Sequence, residues 1–207
     1  MTQTTQTALI SSIADVRTGY TFRERISENK HGNAHVLQLK DARQIWEQTN
    51  SATINVDKLP RIFWDGKSKA FAEPNSILLP SKGSYLRASK LVSNQDSLPT
   101  VVSGQFLTLK VKDSAKQHIH SDYLCWVLNQ PETQRLLAES SQGTKIMMLS
   151  AKAVKDVTIK IPSLETQTKV MHLNEMWEKE QKLINELLIN RQKMVQGTVQ
   201  QLLKETN

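Results

Sequence analysis

The amino-acid sequence predicts an α+β fold in which a mixed globular domain with many short strands precedes one long C-terminal helix. Three observations support this prediction. Segments with strand periodicity are spread over residues 1–162, turn-forming residues separate them, and residues 163–207 carry a proline-free helical pattern. The expected domain boundary therefore follows Pro162.

The predicted strands of the globular domain are short and either alternate apolar with polar residues or form brief apolar runs. They cover residues 35–39, 76–80, 105–111 and 157–161. Glycine-containing turn signals separate them, at Asp65-Gly66, Lys82-Gly83-Ser84, Ser103-Gly104 and Gln142-Gly143. One helix is predicted over 121–139, where Pro131 must introduce a kink or a break. The tryptophans of this domain are expected in its core, namely Trp46, Trp64 and Trp126.

The C-terminal helix is predicted over 165–203, with Ser163 as its N-cap and Gly197 as its one glycine. At about 1.5 Å per residue it would be roughly 60 Å long, which favours packing against another long helix. Its apolar residues follow heptad spacing with the drift of a straight helix. The predicted packing positions, with Trp177 as an anchor, are Val170, Leu173, Trp177, Ile184, Leu187, Leu188, Met194 and Val195.

Positive charge is concentrated in the globular domain. The chain has a formal net charge of +7, whereas residues 163–207 contain six basic and six acidic residues. Within 58–90, seven lysines and arginines stand against Asp65 and Glu73. A local excess of this kind favours a polyanionic partner such as nucleic acid.

Several classes of protein are disfavoured by what the sequence lacks. The single Cys125 allows no internal disulfide, no apolar stretch is long enough to span a membrane, and no secretory signal is visible, so a cytoplasmic protein is expected. No catalytic or cofactor motif stands out, and the His118-x-His120 pair has no evident third ligand. The sequence therefore predicts a binding protein without metal or cofactor, not an enzyme.

The order of short motifs along the chain resembles the specificity subunits of type I restriction-modification systems. The resemblance covers one target recognition domain and one conserved helical region, and it depends on motif order over nearly the whole chain. The matching residues are Ile77-Leu78-Leu79, Lys82-Gly83-Ser84, Asp122-Tyr123-Leu124, Gly143-Thr144, Leu149-Ser150, Ile161-Pro162, Leu164 and Gln167. The "PSLETQ" entry into the long helix is the most specific of them.

This resemblance implies a non-catalytic subunit that reads double-stranded DNA for methyltransferase and restriction/translocase subunits. Basic and polar side chains at turns would then make the DNA contacts. The expected contacts are Arg23, Lys67, Lys69, Lys82, Ser84, Tyr85, Arg87 and Lys145. The family typically has two recognition domains and two antiparallel helices, whereas this sequence has one of each. It is expected to be either a fragment or a half-subunit that forms a homodimer through antiparallel helices and reads two identical half-sites.

Three other interpretations stay open from the sequence. The helix could serve an assembly protein whose basic domain is incidental, or His118 and His120 could belong to an unrecognised hydrolase site. The chain could also be a regulator that occupies methyltransferase subunits without directing them. Salt-dependent DNA binding, metal-dependent turnover and the mass in solution distinguish these possibilities.

Overall fold

A computed structural model describes residues 6–83, 86–141 and 148–205. The described strands are β1 (Gln6–Leu9), β2 (Ala14–Thr18), β3 (Ala34–Leu37), β4 (Thr53–Asn55), β5 (Arg61–Ile62), β6 (Phe71–Ala72), β7 (Ile77–Pro80), β8 (Ser89–Val92), β9 (Thr100–Val102), β10 (Phe106–Val111) and β11 (Thr158–Ile161). The described α-helices are α1 (Ile10–Ile13), α2 (Leu39–Thr49), α3 (Ser121–Leu128), α4 (Pro131–Glu139), α5 (Ala151–Lys155) and α6 (Leu164–Glu205).

The chain divides into two compact units, residues 1–171 and 172–207. The described strands all belong to the first unit, and most of α6 forms the second. This mixture of short strands and a long C-terminal helix confirms the predicted α+β fold class. Within the described parts of the chain, no helix combines the length and apolar character needed to cross a membrane.

The described strands of the first unit form three sheets. A five-stranded sheet has the order β2-β10-β7-β8-β4, a four-stranded sheet has the order β5-β3-β9-β6, and β1 pairs with β11. Strand β7 lies in the middle of the larger sheet and is covered on both faces. Ile77 and Leu79 face one core cluster while Leu78 faces another, so residues 76–80 form an apolar run rather than an alternating one.

One core cluster lies between the larger sheet and the helices α3 and α4. It buries Leu124 and Leu137 against Leu107 and Leu109 of β10. The helix predicted over 121–139 is two helices, because Pro131 occupies the first turn of α4, where its missing N–H is not needed.

The opposite face of the larger sheet packs on α2, a helix that the sequence analysis did not predict. Strand β3 ends at Leu37, and Leu39 of the predicted strand 35–39 already begins the helix. Gln38 and Asp41 form a capping box at the start of the helix. Burial raises the pKa of the Asp41 carboxyl, and the hydrogen bond that this carboxyl accepts from Gln38 N acts in the opposite direction. Trp46 of α2 is buried as predicted, and its Nε1 donates to Ser89 Oγ at 2.7 Å.

The start of α6 is fixed to the first unit by polar side chains. Ser163 caps the helix as predicted, because its Oγ accepts a hydrogen bond from Thr166 N at 3.3 Å. The fully buried Gln167 accepts from His120 N at 2.9 Å and donates to His118 O at 2.7 Å and Pro162 O at 2.9 Å. The glutamine of the "PSLETQ" motif thereby satisfies three backbone groups around the strand-to-helix junction.

Candidate nucleic-acid interface

Three connections of the first unit meet at one end of the five-stranded sheet. The antiparallel pairings Leu107 with Thr18 and Phe106 with Pro80 place the ends of β2 and β7 beside the start of β10. Backbone hydrogen bonds join the adjoining segments, from Ser81 N to Gln105 O at 2.8 Å and from Gly104 N to Tyr20 O at 2.7 Å. We call segments 18–21, 81–83 and 103–105 the loop end.

Gly19 allows the chain to pass from the larger sheet to the smaller one at this end. Its N–H donates to Phe106 O at 2.9 Å, and the next N–H, of Tyr20, donates to Val102 O at 2.7 Å. A Cβ at position 19 would lie 2.2 Å from Ser103 O, so only glycine fits this approach. The crossing fixes the two sheets beside each other.

A basic cleft of about 470 Å³ opens beside this crossing. Its cationic residues are Arg17, Lys67 and Lys69, and its walls also carry hydroxyl groups and the apolar Phe71. The remaining lining residues are Thr18, Gly19, Tyr20, Thr21, Gly66, Ala70, Ala72, Val102 and Thr108. The structure thus places two of the predicted DNA contacts, Lys67 and Lys69, in one site together with Arg17, which the sequence analysis did not single out.

One cation of the cleft, Arg17, forms an ion pair with Glu73, which also contacts Lys110 on β10. Arg17 Nη2 lies 2.9 Å from Glu73 Oε1, and Lys110 Nζ lies 3.5 Å from Glu73 Oε2. The lysine also donates to Pro74 O at 2.9 Å. These side chains are accessible to solvent, with Arg17 and Glu73 each 52% exposed.

An aromatic cluster supports the segment that carries the two lysines. Tyr20 and Trp64 meet edge to face with ring centroids 4.8 Å apart, and Phe71 packs near the same indole. Asn33 holds the Trp64 backbone through hydrogen bonds to both its N–H and its carbonyl oxygen. A Cβ on Gly66 would lie 2.3 Å from the Trp64 ring. The half-buried Trp64 is therefore a support for the turn, consistent with its predicted core role.

The predicted contact Lys82 lies at the loop end, on the turn that follows β7. Lys82 pairs with Met148 in an isolated antiparallel bridge, and Leu149 N donates to Ser81 O at 2.9 Å. Gly83 has a φ of +105°, a conformation suited to glycine. Three further predicted contacts, Ser84, Tyr85 and Lys145, and the predicted turn at Gln142-Gly143 lie outside the described residues.

The remaining predicted contacts have different surroundings. Arg23 is exposed in the segment after Phe22, whereas Arg87 donates to Asn50 O at 2.7 Å, where Asn50 ends α2 in the left-handed conformation. Arg43 of α2, which the sequence analysis did not single out, approaches the Gly83 turn, with Nη2 3.7 Å from the position that a Cβ there would take. The amphipathic pattern of α2 was the signal that could have found it.

The predicted packing residues of α6 are mostly exposed. Trp177 is 55% exposed, Leu187 55% and Met194 71%, and the predicted positions Leu173, Ile184, Leu188 and Val195 are also exposed. Val170 differs, because it is half-buried against the core cluster of the first unit. Trp126, expected in the core, is likewise half-buried there.

His118 and His120 contribute backbone groups to the Gln167 junction, and their side chains are exposed. Across residues 6–83, 86–141 and 148–205, no group of three histidine, cysteine or acidic side chains could hold a metal ion.

The first unit is therefore a candidate nucleic-acid-recognition domain, because it combines a mixed fold with a basic cleft beside the loop end. The family model of the type I restriction modification DNA specificity domain matches residues 4–189. The chain belongs to this family.

Solved structures of type I systems have the same fold. One of these structures concerns complex assembly and conformational transition of the type I R-M system. It aligns with a TM-score of 0.59 at 18% identity, over 86% of this chain and 40% of that one. The S subunit from M. genitalium aligns with a TM-score of 0.54 at 16% identity, over 92% and 44% of the two chains. The HsdS subunit from Thermoanaerobacter tengcongensis gives 0.54 at 18% identity, over 86% and 37%.

The chain thus spans less than half the length of each of these relatives. Comparison with curated protein sequences gave no significant match.

Proposed function

We propose that this protein is a sequence-specific DNA-recognition subunit of a type I restriction-modification system. The observation that supports this function best is the basic cleft beside the loop end, in a chain of the specificity-domain family. Arg17, Lys67 and Lys69 supply cations along one cleft, which suits contacts to phosphates. Polar side chains of the loop end would reach the edges of bases.

The proposed role is recognition without catalysis. Methylation and cleavage would be carried out by separate methyltransferase and restriction/translocase subunits, which the family membership suggests as partners. Because the proposed ligand is DNA, the cytoplasm is the proposed compartment. We expect Arg23, Lys82, Ser84, Tyr85, Arg87 and Lys145 to contribute to the same DNA surface, as the sequence analysis predicted.

A homodimer through antiparallel C-terminal helices is the proposed assembly. It is supported by the heptad-spaced apolar side chains of α6, among them Trp177, Leu187 and Met194, which are more than half exposed. A second copy would cover these side chains and place two identical recognition domains on a two-fold axis. The DNA target would then contain two identical half-sites in inverted orientation.

Salt-dependent binding of a mixed-sequence DNA duplex tests the DNA-binding part of this proposal. Fluorescence anisotropy with the chain of residues 1–207, titrated between about 50 and 200 mM salt, should give a linear fall of log K with log salt concentration. The Lys67→Ala/Lys69→Ala variant should reduce the magnitude of that slope by roughly 0.9 for each phosphate that it no longer neutralises.

The matched control is Lys116→Ala/Lys160→Ala, which removes the same charge from exposed positions that do not line the cleft. Equal effects of the two double variants would argue against a role for the cleft. No binding by the unaltered chain at low salt would contradict the proposed function. That result would instead favour an assembly protein, for which the exposed apolar side chains of α6 are the supporting observation.

A further inference from the structure

Arg17 of the basic cleft shares a carboxylate, that of Glu73, with Lys110, and this carboxylate has a position that suits a phosphate group. Glu73 contacts Arg17 through one oxygen and Lys110 through the other, at 2.9 Å and 3.5 Å. Arginine and lysine around a shared anion are the usual protein ligands of phosphate oxygens. The arrangement is that of an anion site whose present occupant belongs to the protein.

The sheet fixes the backbone positions of the two cationic residues. Arg17 on β2 lies opposite Thr108 on β10, and Lys110 is two residues further along β10 on the same face. Thr108 Oγ1 donates to Arg17 O at 3.3 Å, and Lys110 Nζ remains bound to Pro74 O. Removal of the carboxylate would therefore leave both residues side by side on the sheet, with the Arg17 guanidinium free to contact another anion.

Glu73 is bound weakly enough to be displaced. It belongs to a tight turn in which Ser76 N donates to Glu73 O at 3.1 Å and Asn75 has a positive φ of 60°. Its side chain is 52% exposed, and that of Lys110 is 26% exposed. Exposed ion pairs contribute little stability because water and salt screen them, so an incoming phosphodiester can replace the carboxylate at low cost.

We infer that Arg17 and Lys110 form a binding subsite for a DNA backbone phosphate, and that Glu73 is its displaceable occupant in the free protein. This inference rests on the proposed DNA-recognition function and goes beyond it by assigning an opposing role to one residue. Glu73 lowers affinity for any duplex by competing for its two cations. The subsite consequently favours only those DNA complexes in which other contacts offset the free-energy cost of displacing Glu73.

The decisive variant is Glu73→Gln, which keeps the shape of the side chain and removes its charge. Its affinity for a mixed-sequence duplex should rise roughly two- to ten-fold at low salt, the range expected when weak exposed ion pairs no longer compete. Adding Arg17→Gln to this variant should abolish the increase, because Lys110 alone supplies one cation where the subsite needs two.

Two controls separate displacement from a general change in charge. Asp15→Asn removes a carboxylate that is the cross-strand partner of Lys110 and for which the described residues show no ion pair. Glu132→Gln removes one that pairs with Lys160 away from the cleft. Both should change affinity much less than Glu73→Gln does. Equal increases from all three variants would overturn the inference, as would weaker binding by Glu73→Gln.

A third arm distinguishes DNA from free anions. Inorganic phosphate added at constant ionic strength should compete only weakly, because it makes none of the duplex contacts. Phosphate binding by Glu73→Gln without any increase in affinity for the duplex would overturn the assignment to DNA. If the unaltered chain binds no duplex at all, the proposed function itself fails. If it binds but Glu73→Gln matches the controls, only the present inference fails.

Discussion

The two compact units place the same kinds of side chain in opposite environments. In the first unit Leu109 and Phe106 are fully buried between a sheet and its covering helices, whereas Leu187 and Trp177 of the second unit are 55% exposed. The first unit has its own core. The second carries its apolar residues at heptad spacing on one helix, an arrangement that can bury them only against another surface. Whether an apolar side chain is buried within its own unit thus depends on the spacing of the apolar residues along the chain as much as on how many there are.

A leucine substitution in each unit should give the largest contrast. Leu109→Ala removes a fully buried side chain and should lower the free energy of unfolding by about 2–5 kcal/mol. Leu187→Ala should change the unfolding of the first unit by less than about 0.5 kcal/mol, because it shortens a side chain of the second unit that is 55% exposed. Urea denaturation followed by tryptophan fluorescence measures both. Similar decreases would mean that the two units do not differ as described.

Gln167 offers the next largest effect, at the start of α6. Gln167→Leu leaves the backbone groups of His118 and His120 without their partner and should cost about 2–4 kcal/mol. Gln192→Leu, on an exposed part of the same helix, is the matched control and should be nearly neutral. Denaturation midpoints compare the two. A neutral Gln167→Leu would show that the buried amide is dispensable.

A charge placed among the exposed apolar residues should weaken the proposed dimer. Leu187→Glu should raise the dimer dissociation constant at least about ten-fold, since it would bury a carboxylate in a helix–helix contact. Gln192→Glu introduces the same charge at a polar position and should have little effect. Light scattering over a range of concentrations gives both constants. Equal masses for all three chains would argue against this face as the contact.

The smallest expected effect concerns the glycine within α6. Among the described residues, no atom beyond the adjoining helix backbone lies within 4 Å of a Cβ placed at Gly197, so Gly197→Ala should stabilise the helix by about 0.5–1 kcal/mol. The same change at Gly19 meets Ser103 O and should be destabilising. Thermal unfolding followed by circular dichroism records the opposite signs. Stabilisation by Gly19→Ala would contradict the close crossing of the two sheets.

Sequence patterns predicted those helices and strands whose formation depends mainly on residues that are neighbours along the chain. The heptad pattern and Ser163 identified α6, and the apolar run 76–80 identified β7. The helix α2 was missed because Gln38 is an unusual cap and because the alternation in 35–39 continues past the true end of the strand at Leu37. The Gln38–Asp41 capping box lies at that boundary, and Trp46 then packs into a core cluster with residues of other elements, which strand periodicity does not reveal.

The candidate site was predicted only where a turn marked it. The Asp65-Gly66 turn pointed to Lys67 and Lys69, and both line the basic cleft. No turn signal accompanies Arg17 in the sequence. Its contact with Glu73 joins residues 56 positions apart and depends on the order of strands in the sheet. Specificity-family motifs located the loop end but could not show which cations are already paired.

Selection of binding sites from a randomised duplex library by the chain of residues 1–207 tests the central claim most directly. The account predicts enrichment of one interrupted motif made of two identical half-sites in inverted orientation, with a fixed spacing set by the proposed dimer. Enrichment of no sequence, with binding that responds only to salt, would contradict the claim that this chain reads DNA.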